Sequence, residues 1–426
     1  MKVQLHYIFF FSFFIISSSL FAQQSQVLPK ANPEEAGMSS SRLAYIDSIS
    51  ITAIEDQQVP GLVALVARNG KIVYHKAFGT ANAKGDQLDF NSIFRIASQT
   101  KAITSTAVMM LWERGKFQLD DPISKYIPEF KNEQVLDSLL PDGSYTTKPA
   151  TRPITIRHLL THTSGLGYGE IDGDPRFKKI YRDAGVTDLF TTKAIRIEES
   201  VKKLAKLPLH HNPGEHFTYS EGLDVLGYFV QIISGKQLDE FFKTEIFEPL
   251  KMQNTYFYLP KGKRDELVSV QTKNEDKWVD FPTTFYDPDY PKKGEMTFFS
   301  GGAGLSSTPI DYAQFLQMYL NKGTLNGHRL LSRTTIDFML SNQIDDIWKS
   351  RGAYHGLAFS VVDDLSAAKG GKGSPRTFEW GGYFNTQYFA DPEENLIGII
   401  MKQTQKVSGD ETSWKFRNIV FSSIDD

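Results

Sequence analysis

The sequence predicts an α/β (α+β) fold, in which an antiparallel sheet flanked by terminal helices is built from both ends of the chain. Two observations lead to this prediction. Compact apolar segments of strand length flank tight turns near the start and again near the end of the chain. Between them, from Ser98 to about Asp311, most recognisable elements have helical periodicity. Because the two ends share one kind of structure and the middle another, we expect a mostly helical region inserted into one sheet.

The composition is that of an ordinary globular chain and excludes several functional classes. Of 426 residues, 40% are hydrophobic and 23% charged, which rules out disorder as the main state. The sum of 47 basic and 50 acidic residues gives a net charge of −3, so there is no basic excess for nucleic acid. Cysteine is absent, which removes disulfides, thiolate metal sites and cysteine nucleophiles.

Residues 1–22 are typical of a secretory signal peptide. Lys2 supplies a positive start, Tyr7–Ile16 is nearly all apolar, and Ala22 is a small residue suited to cleavage. The alternative is a membrane anchor, but the apolar run is about half of the ~20 residues that a span needs. We therefore expect export across the inner membrane, a periplasmic location and no stable membrane insertion after cleavage.

The first folded elements follow a polar lead-in at residues 23–38. Ser39–Ile54 has apolar residues at helical spacing and serine N-cap candidates. Leu62–Ala67 is a compact apolar strand, Asn69-Gly70 is a strong hairpin turn, and Ile72–Gly79 returns as the second strand. The chain is thus predicted to open as helix, strand, turn and strand.

The middle of the chain is predicted to be helical with two irregular excursions, at residues 131–153 and 167–196. The strongest helix start is Pro309, because Thr308 before it is a good N-cap and proline is favoured at the first helical position. The predicted helices are Ser98–Glu113, Ile156–His162, Glu198–Leu207, Glu221–Ile233, Leu238–Phe247 and Pro309–Leu320.

Strands return near the end of the sequence, before a closing amphipathic helix. The predicted strands are Gly356–Val362, Thr377–Trp380, Thr386–Ala390 and Leu396–Lys402, and the helix is Thr412–Ile424. We therefore divide the chain into a sheet region, residues 39–97 plus 352–426, and a mainly helical region, residues 98–351, which together form one catalytic unit.

Several catalytic and metal-binding motifs are missing. The serine elbow Gly-x-Ser-x-Gly and the phosphate loop Gly-x-x-x-x-Gly-Lys-Ser/Thr do not occur. His158 and His162 have the spacing of a zinc-protease helix, but Leu159 stands where the glutamate should follow. The remaining histidine group, His210, His211 and His216, flanks a turn. We expect structural or capping roles for these histidines, no metal site and no cofactor.

A serine followed three residues later by lysine offers a nucleophile with a nearby base. On a helix these positions share a face, so the amine can lie beside the hydroxyl. At a helix N-terminus the serine amide is also free to bind an oxyanion. The pattern occurs at Ser98, Ser200 and Ser366. Ser200 lies in a charged amphipathic helix and Ser366 leads into a glycine-rich loop, whereas Ser98 opens an apolar helix, as the chemistry requires. An ordinary N-cap is the alternative for Ser98.

The segment around Ser98 resembles the nucleophile segment of class C β-lactamase-like serine hydrolases, which are grouped with the low-molecular-weight penicillin-binding proteins. Other segments agree in the expected order over about residues 35–405. The matching segments are Phe94-Arg95-Ile96-Ala97-Ser98-Gln99-Thr100-Lys101, Leu119-Asp120-Asp121-Pro122, His158 to Leu166, Pro213-Gly214 with Phe217-Thr218-Tyr219-Ser220, and Ser300 to Leu305. The resemblance implies a serine β-lactamase/DD-peptidase-like fold, with Ser98 as nucleophile and Lys101 as a catalytic base.

The resemblance also implies the remaining site residues. The family's second motif, Tyr-x-Asn, is here Tyr219-Ser220-Glu221, so Tyr219 matches as partner base and Glu221 departs as a probable anion. The third motif aligns with Trp380-Gly381-Gly382 and lacks the family's cation. By resemblance, the amides of Ser98 and Tyr383 form the oxyanion hole, and Gly382 allows close backbone approach.

The departures bear on the substrate, a small-molecule ester, amide or lactam. Tryptophan with two glycines is similar to family VIII carboxylesterases, and an aromatic wall suits a neutral or apolar group, so Trp380, Gly381, Gly382 and Glu221 are expected to contact substrate. The sequence thus predicts an exported carboxylesterase that forms an acyl-enzyme on Ser98. The alternatives are a β-lactamase, a D-amino-acid peptidase or amidase, and a non-catalytic penicillin-recognising sensor. If Glu221 lies close to Lys101, it should favour the ammonium form of the lysine.

Overall fold

The two ends of the chain form one seven-stranded antiparallel sheet. The computed structural model describes residues 28–347, 352–370 and 372–426, so the predicted signal segment lies outside the described residues. The strand order is β3-β4-β5-β6-β7-β1-β2, and all neighbours are antiparallel. The strands are β1 (Gly61–Arg68), β2 (Lys71–Gly79), β3 (Ala353–His355), β4 (Ser360–Val362), β5 (Phe378–Gly382), β6 (Thr386–Asp391) and β7 (Leu396–Met401).

Strand β1 lies inside the sheet and is buried along its whole length. Alternate side chains point to opposite faces. Val63 and Leu65 enter the large core on the side of the helical region, while Leu62 and Ala64 enter a smaller core beneath the terminal helices. A strand covered on both faces needs apolar side chains on both, which explains the unbroken apolar run Leu62–Ala67 before Arg68 at its end.

The described residues contain seven helices of eight or more residues. Helices α1 and α7, from the two ends, pack on each other and on one face of the sheet, whereas α6 crosses the opposite face against β1 and β7. Helices α2 and α5 pack together in the helical region. The helices are α1 (Tyr45–Glu55), α2 (Thr100–Glu113), α3 (Pro175–Asp183), α4 (Ile197–Leu204), α5 (Gly222–Ser234), α6 (Pro309–Leu320) and α7 (Thr412–Ser422).

Shorter elements complete the described chain. The short α-helices are Ser40–Leu43, Ile156–Leu160, Leu238–Phe242, Glu248–Leu250, Tyr290–Lys293, Arg333–Met339 and Asp364–Ala368, and a π-helical turn covers Lys243–Phe247. The 3-10 turns are Pro33–Ala36, Ala97–Gln99, Ile123–Lys125, Pro128–Phe130 and Lys261–Glu266. Small two-stranded ladders join Phe94–Arg95 to Ser306–Ser307, Gln134–Leu139 to Tyr145–Pro149, Gln271–Asn274 to Lys277–Asp280, and Thr324–Leu325 to His328–Arg329.

The predicted fold class is confirmed, with three local corrections. The segment 131–153 is a β-hairpin around Gly143 rather than an irregular excursion, and 167–196 contains α3. The single strand predicted at Gly356–Val362 is instead a hairpin of β3 and β4. The first hairpin escaped notice because its second strand is fully exposed and therefore lacks apolar alternation. Within the described ranges, no helix has the length and apolarity needed to cross a membrane.

Candidate active site

Ser98 lies in the middle of a strained turn that leads into α2. The preceding residue, Ala97, has φ +42°, a left-handed conformation that costs free energy for a residue with a side chain. Ser98 is half-buried. No carbonyl of the described residues accepts a hydrogen bond from the amide of Ser98 or of Tyr383. The turn therefore presents a serine hydroxyl beside an amide that is free to bind an oxyanion.

Lys101 reaches back from the first turn of α2 to the serine. Its side chain is 2% exposed, and its Nζ donates hydrogen bonds to the Gly302 carbonyl at 2.7 Å and the Tyr168 hydroxyl at 2.9 Å. The Ser98 Oγ lies 3.4 Å from the same Nζ. In the described part of the chain, Lys101 forms no salt bridge with a carboxylate. The lysine is thus held at the serine by neutral oxygens alone.

Tyr219 stands over the lysine within a cluster of aromatic rings. The Lys101 Nζ lies 4.7 Å from the centroid of its ring. The ring centroids of His162, Tyr168 and Trp380 lie 4.7, 5.4 and 5.9 Å from that of Tyr219. The Tyr219 hydroxyl is enclosed and has no hydrogen-bond partner among the described residues. Its orientation is fixed by packing, which leaves the hydroxyl free for a reacting group.

Strand β5 forms the opposite wall and passes close to the serine turn. A Cβ atom at Gly382 would lie 2.4 Å from the Ile96 carbonyl oxygen, so only glycine allows this approach. Gly381 is less crowded, since its nearest neighbour would be 3.3 Å away. The Trp380 ring faces the site, 5.6 Å from His355 between ring centroids. The structure therefore brings the three predicted motifs together at one place.

Glu221 is close to this cluster but does not contact Lys101 through a hydrogen bond. Its amide donates to the Gly167 carbonyl, and its buried carboxyl is hydrogen-bonded to Asp188. Burial, then the neighbouring carboxylates of Asp188 and Asp224, raise the pKa of Glu221 well above its usual value. This differs from the expectation that Glu221 is an anion, because its environment favours the neutral acid.

Sequence reasoning missed Tyr168, whose hydroxyl accepts from Lys101. The side chain is buried, and burial, followed by the charge of neighbouring Tyr219, raises the pKa of its hydroxyl well above the usual value. It lies between Gly167 and Gly169, directly after the segment that ends at Leu166. An aromatic residue flanked by glycines beside a recognised motif was the available signal.

Sequence reasoning also missed Asp224. Its carboxylate holds the turn whose Gly302 carbonyl accepts a hydrogen bond from Lys101. Its Oδ1 accepts hydrogen bonds from the Ser300 hydroxyl at 2.5 Å and from the Gly302 amide at 3.1 Å. A Cβ at Gly302 would lie 2.3 Å from Asp224 Oδ2, so the turn is packed directly on the carboxylate. This contact fixes the Gly302 carbonyl toward Lys101.

The histidines have the structural surroundings expected of them. His158 Nδ1 accepts the amide of Thr155 and caps its helix, and His162 lies within hydrogen-bond distance of Ser220. His210 pairs with Asp172 at 3.1 Å. The described ranges contain no group of three or more residues suited to hold a metal ion.

A cavity of about 430 Å³ lies beside the aromatic cluster. Its lining includes Gly169, Asp188, Phe190 and Tyr286, all from segments that the sequence analysis left without an assigned course. Tyr286 in turn packs against Tyr383, with ring centroids 6.2 Å apart. The cavity is large enough for part of a small organic molecule.

The chain was compared with known families and structures. A β-lactamase family model matches residues 44–419. Esterase EstB from Burkholderia gladioli is 30% identical over 390 residues, which cover 86% of this chain and 91% of that protein. A protein from Salmonella typhi, provisionally named a D-alanyl-D-alanine carboxypeptidase, is 28% identical over 90% of this chain and 88% of its own length.

Among solved structures, EstCE1, described as a hydrolase with promiscuous acyltransferase activity, has a TM-score of 0.77 and 26% identity to this chain. The likeness covers 89% of this chain and 99% of EstCE1. The resemblance inferred from the ordered motifs, including the predicted fold, is therefore confirmed.

Proposed function

The chain belongs to the β-lactamase family of serine hydrolases, and from this premise we propose that it is an exported carboxylesterase that forms an acyl-enzyme on Ser98. The observation that carries the choice of ester is the third motif. Trp380 places an indole ring beside Tyr219 where the family pattern has a cation, and two glycines follow. A substrate carboxylate gains nothing from this wall, whereas a neutral acyl or alkoxy group can pack on it.

The named relatives support the same choice. EstB, a relative over most of both chains, is named an esterase, and EstCE1 is described as a hydrolase that also transfers acyl groups. Hydrolysis and acyl transfer share the acyl-enzyme and differ in whether water or an alcohol accepts the acyl group. Both descriptions fit a site whose serine is buried among aromatic rings.

The reaction begins when Ser98 Oγ attacks the ester carbonyl carbon. The carbonyl oxygen gains the negative charge, and the amides of Ser98 and Tyr383 are free to bind it. The serine proton passes to the Lys101–Tyr219 pair and from there to the leaving alkoxide, which departs as an alcohol. A water molecule then attacks the acyl-enzyme, gives its proton to the same pair and releases the acid.

The contacts divide the proton work between the two bases. Lys101 is closest to Ser98 and its Nζ is held by two further oxygens, whereas the Tyr219 hydroxyl has no partner among the described residues. The Lys101 ammonium lies over the Tyr219 ring, where its positive charge stabilises the phenolate that accepts the Ser98 proton and becomes a neutral phenol. We therefore assign the moving proton to Tyr219 and the electrostatic support to Lys101.

Fluorophosphonate labelling tests the nucleophile. The wild-type protein and the variant Ser366→Ala should be labelled equally, because Ser366 belongs to an unrelated Ser-x-x-Lys pattern, whereas Ser98→Ala should not be labelled. Labelling that persists in Ser98→Ala overturns the assignment. Absence of labelling in the wild type favours a binding or sensor protein.

A substrate panel tests the reaction class. Short p-nitrophenyl esters, nitrocefin and D-alanyl amides are compared at equal enzyme concentration by kcat/KM. Turnover of the esters alone supports the carboxylesterase. Higher kcat/KM for nitrocefin or for D-alanyl amides overturns it in favour of a β-lactamase or a peptidase.

The export proposal is tested separately. Full-length protein produced in a Gram-negative host should be recovered from the periplasm, and its N-terminal sequence should start at Gln23 after removal of residues 1–22. A retained N-terminus in the membrane fraction indicates an anchor instead.

A further inference from the structure

Two buried carboxyl groups face each other behind the catalytic lysine. Glu221 follows the second motif, and Asp188 comes from the loop after α3. Their side chains are hydrogen-bonded to each other, and they are 3% and 8% exposed. Glu221 Oε1 and Asp188 Oδ1 are enclosed, and no other described residue gives either oxygen a hydrogen bond. Carboxylate oxygens are acceptors only, so a hydrogen bond between two carboxyl groups requires that one of them carries a proton.

The surroundings make loss of that proton costly. Two full negative charges at hydrogen-bond distance repel strongly in a buried site. Burial raises the pKa of both carboxyls. Asp188 raises the pKa of Glu221 further, whereas the hydrogen bond to Glu221 partly offsets the increase for Asp188. One positively charged group, Lys101 in α2, interacts with the pair and by itself would lower the pKa of Glu221. The other titratable groups that interact with the pair are Glu170, Asp224, Tyr168, Tyr181 and Tyr383.

The pair also holds the segment that carries Tyr168. The Glu221 amide donates to the Gly167 carbonyl at 3.1 Å. At the other end of the segment, Asp188 Oδ2 accepts the Glu170 amide at 2.6 Å. Tyr168 lies between these two anchors, and its hydroxyl accepts the hydrogen bond from Lys101. A proton shared by Asp188 and Glu221 therefore holds the two ends of the segment, Gly167 and Glu170, in place relative to each other.

We propose that Asp188 and Glu221 share one proton at neutral pH and that this protonated pair positions Tyr168 against Lys101. Asp188 and Glu221 are thus positioning residues for the hydrolysis, and the inference rests on the proposed role of Lys101. When the proton leaves, the two anions separate, the Gly167–Glu170 segment moves, and the hydrogen bond between Tyr168 and Lys101 is lost. The expected consequence is a fall of kcat/KM at alkaline pH.

The direction of the pH effect follows from the raised pKa values. A carboxyl whose pKa is higher in the folded than in the unfolded state keeps its proton below the folded pKa and loses it as the pH rises through that value. The hydrogen bond between Asp188 and Glu221 is therefore kept at acid and neutral pH and is lost at alkaline pH. An exposed carboxylate would titrate near pH 4 and would cause no change in kcat/KM above neutral pH.

Infrared spectroscopy tests the shared proton without any assay of activity. The difference spectrum of wild type minus Glu221→Gln at neutral pH should contain the carbonyl stretch of a protonated carboxyl, shifted on exchange into deuterium oxide. If the difference spectrum contains only carboxylate bands, the pair holds no proton and the proposal is wrong. This result stands whatever substrate the enzyme prefers, so it separates failure of this inference from failure of the proposed function.

The pH profile of kcat/KM tests the positioning role. Glu221→Gln offers Asp188 an amide donor that does not titrate, so the alkaline limb of kcat/KM should move to higher pH than in the wild type. Glu221→Leu removes the hydrogen bond and should lower kcat/KM about tenfold or more, as expected for an unpaired buried charge.

The matched control is Glu170→Gln. Glu170 lies on the same segment, but its carboxylate pairs with exposed Arg182 and not with Asp188. Glu170→Gln removes a charge that raises the pKa of Asp188, so the alkaline limb should move slightly to lower pH, opposite to the shift in Glu221→Gln. An alkaline limb that is identical in wild type and Glu221→Gln, or one that moves equally in Glu170→Gln, contradicts the proposal. Circular dichroism of each variant confirms folding before the kinetics are compared.

Discussion

Two lysines of this protein are buried to nearly the same extent and have opposite surroundings. Lys402, at the end of β7, forms a 2.6 Å salt bridge with Asp410 and donates to the hydroxyls of Thr412 and Ser413. Among the described residues, Lys101 forms hydrogen bonds only with neutral oxygens and lies over the rings of Tyr168 and Tyr219. The buried carboxyls of Glu221 and Asp224 interact with it electrostatically without a hydrogen bond. Side-chain exposure is 0% for Lys402, and Lys101 as a residue is 2% exposed.

The comparison teaches that burial alone does not make a lysine reactive. Burial lowers the pKa of Lys402, and the carboxylate of Asp410 at hydrogen-bond distance offsets part of that effect, so the two residues form a buried ion pair whose role is stability. Neutral acceptors orient an amine without binding its proton as firmly, which leaves the residue able to support proton transfer. The two pockets therefore predict different consequences for the same substitution.

The largest effect is expected from Lys101→Met. It should reduce kcat/KM by about 10⁴-fold, because the serine loses the group that supports its deprotonation, while the fold is retained. Steady-state kinetics and the rate of fluorophosphonate labelling measure the loss, and circular dichroism checks the fold. Turnover close to that of wild type would contradict the proposal that Lys101, unlike Lys402, takes part in catalysis.

Lys402→Met should act on stability instead. Removing one member of a buried ion pair leaves Asp410 without its cation, at a cost of about 3–5 kcal/mol in the free energy of unfolding. Urea denaturation measures this change, and titration of active sites gives kcat per folded molecule, which should match wild type. The double variant Lys402→Met, Asp410→Asn should recover part of the lost stability. A large loss of kcat per active site would contradict a purely structural role.

Tyr168→Phe tests how much a single hydrogen bond to Lys101 contributes to activity. It removes a neutral acceptor from Lys101, and a hydrogen bond to a charged group contributes about 1.5–3 kcal/mol, so kcat/KM should fall about 10- to 100-fold. Tyr181→Phe is the matched control, because its hydroxyl bonds to the Gly167 amide and not to the lysine. Equal losses in both variants would mean that the segment, rather than the contact with Lys101, is what matters.

The smallest expected difference between the Lys101 and Lys402 pockets is their contribution to the loss of unfolding free energy at acid pH. Burial alone would raise the pKa of Asp410, but the charge of Lys402 and the hydrogen bonds from Lys402, Thr412 and Asn385 lower it overall. A carboxyl with a depressed folded pKa contributes stability above its ordinary pKa and loses it as the pH falls through the folded value. Unfolding free energies should therefore drop below about pH 4 in wild type and in Lys101→Met alike. The slope should be shallower in the double variant Lys402→Met, Asp410→Asn, and an unchanged slope would contradict this assignment.

The fold was predictable where burial imposes a pattern. Residues Leu62–Ala67 of β1 are all apolar because both faces of the strand are covered. Thr308-Pro309 marks the start of α6 because the Thr308 side chain caps the helix and proline is favoured at its first position. The exposed strand Tyr145–Pro149 has neither signal, since an exposed strand in a two-stranded hairpin needs no apolar alternation. Its Asp142-Gly143 turn was the remaining clue.

The site was predictable where residues act within one helix or motif. Ser98, in the 3-10 turn before α2, and Lys101, in the first turn of α2, are three residues apart, and this spacing brings them together. Tyr168, Asp188 and Asp224 reach the lysine or its neighbours through tertiary contacts between segments distant in the sequence, so no local spacing reveals them. For the same reason, the pairing of Glu221 with Asp188 has no signal in the local sequence.

The sheet topology has a consequence for synthesis on the ribosome. Strand β1 emerges early, yet its neighbour β7, with residues Leu396–Met401, is made near the end of the described chain. Until then one edge of a strand with six consecutive apolar residues, Leu62–Ala67, is unpaired, and such an edge invites association with other chains or capture by chaperones. Strand β5, whose Gly382 packs against the Ser98 turn, is also late. A nascent chain therefore carries Ser98 long before β5 and β7 exist, and we expect hydrolysis to begin only after both strands have been made.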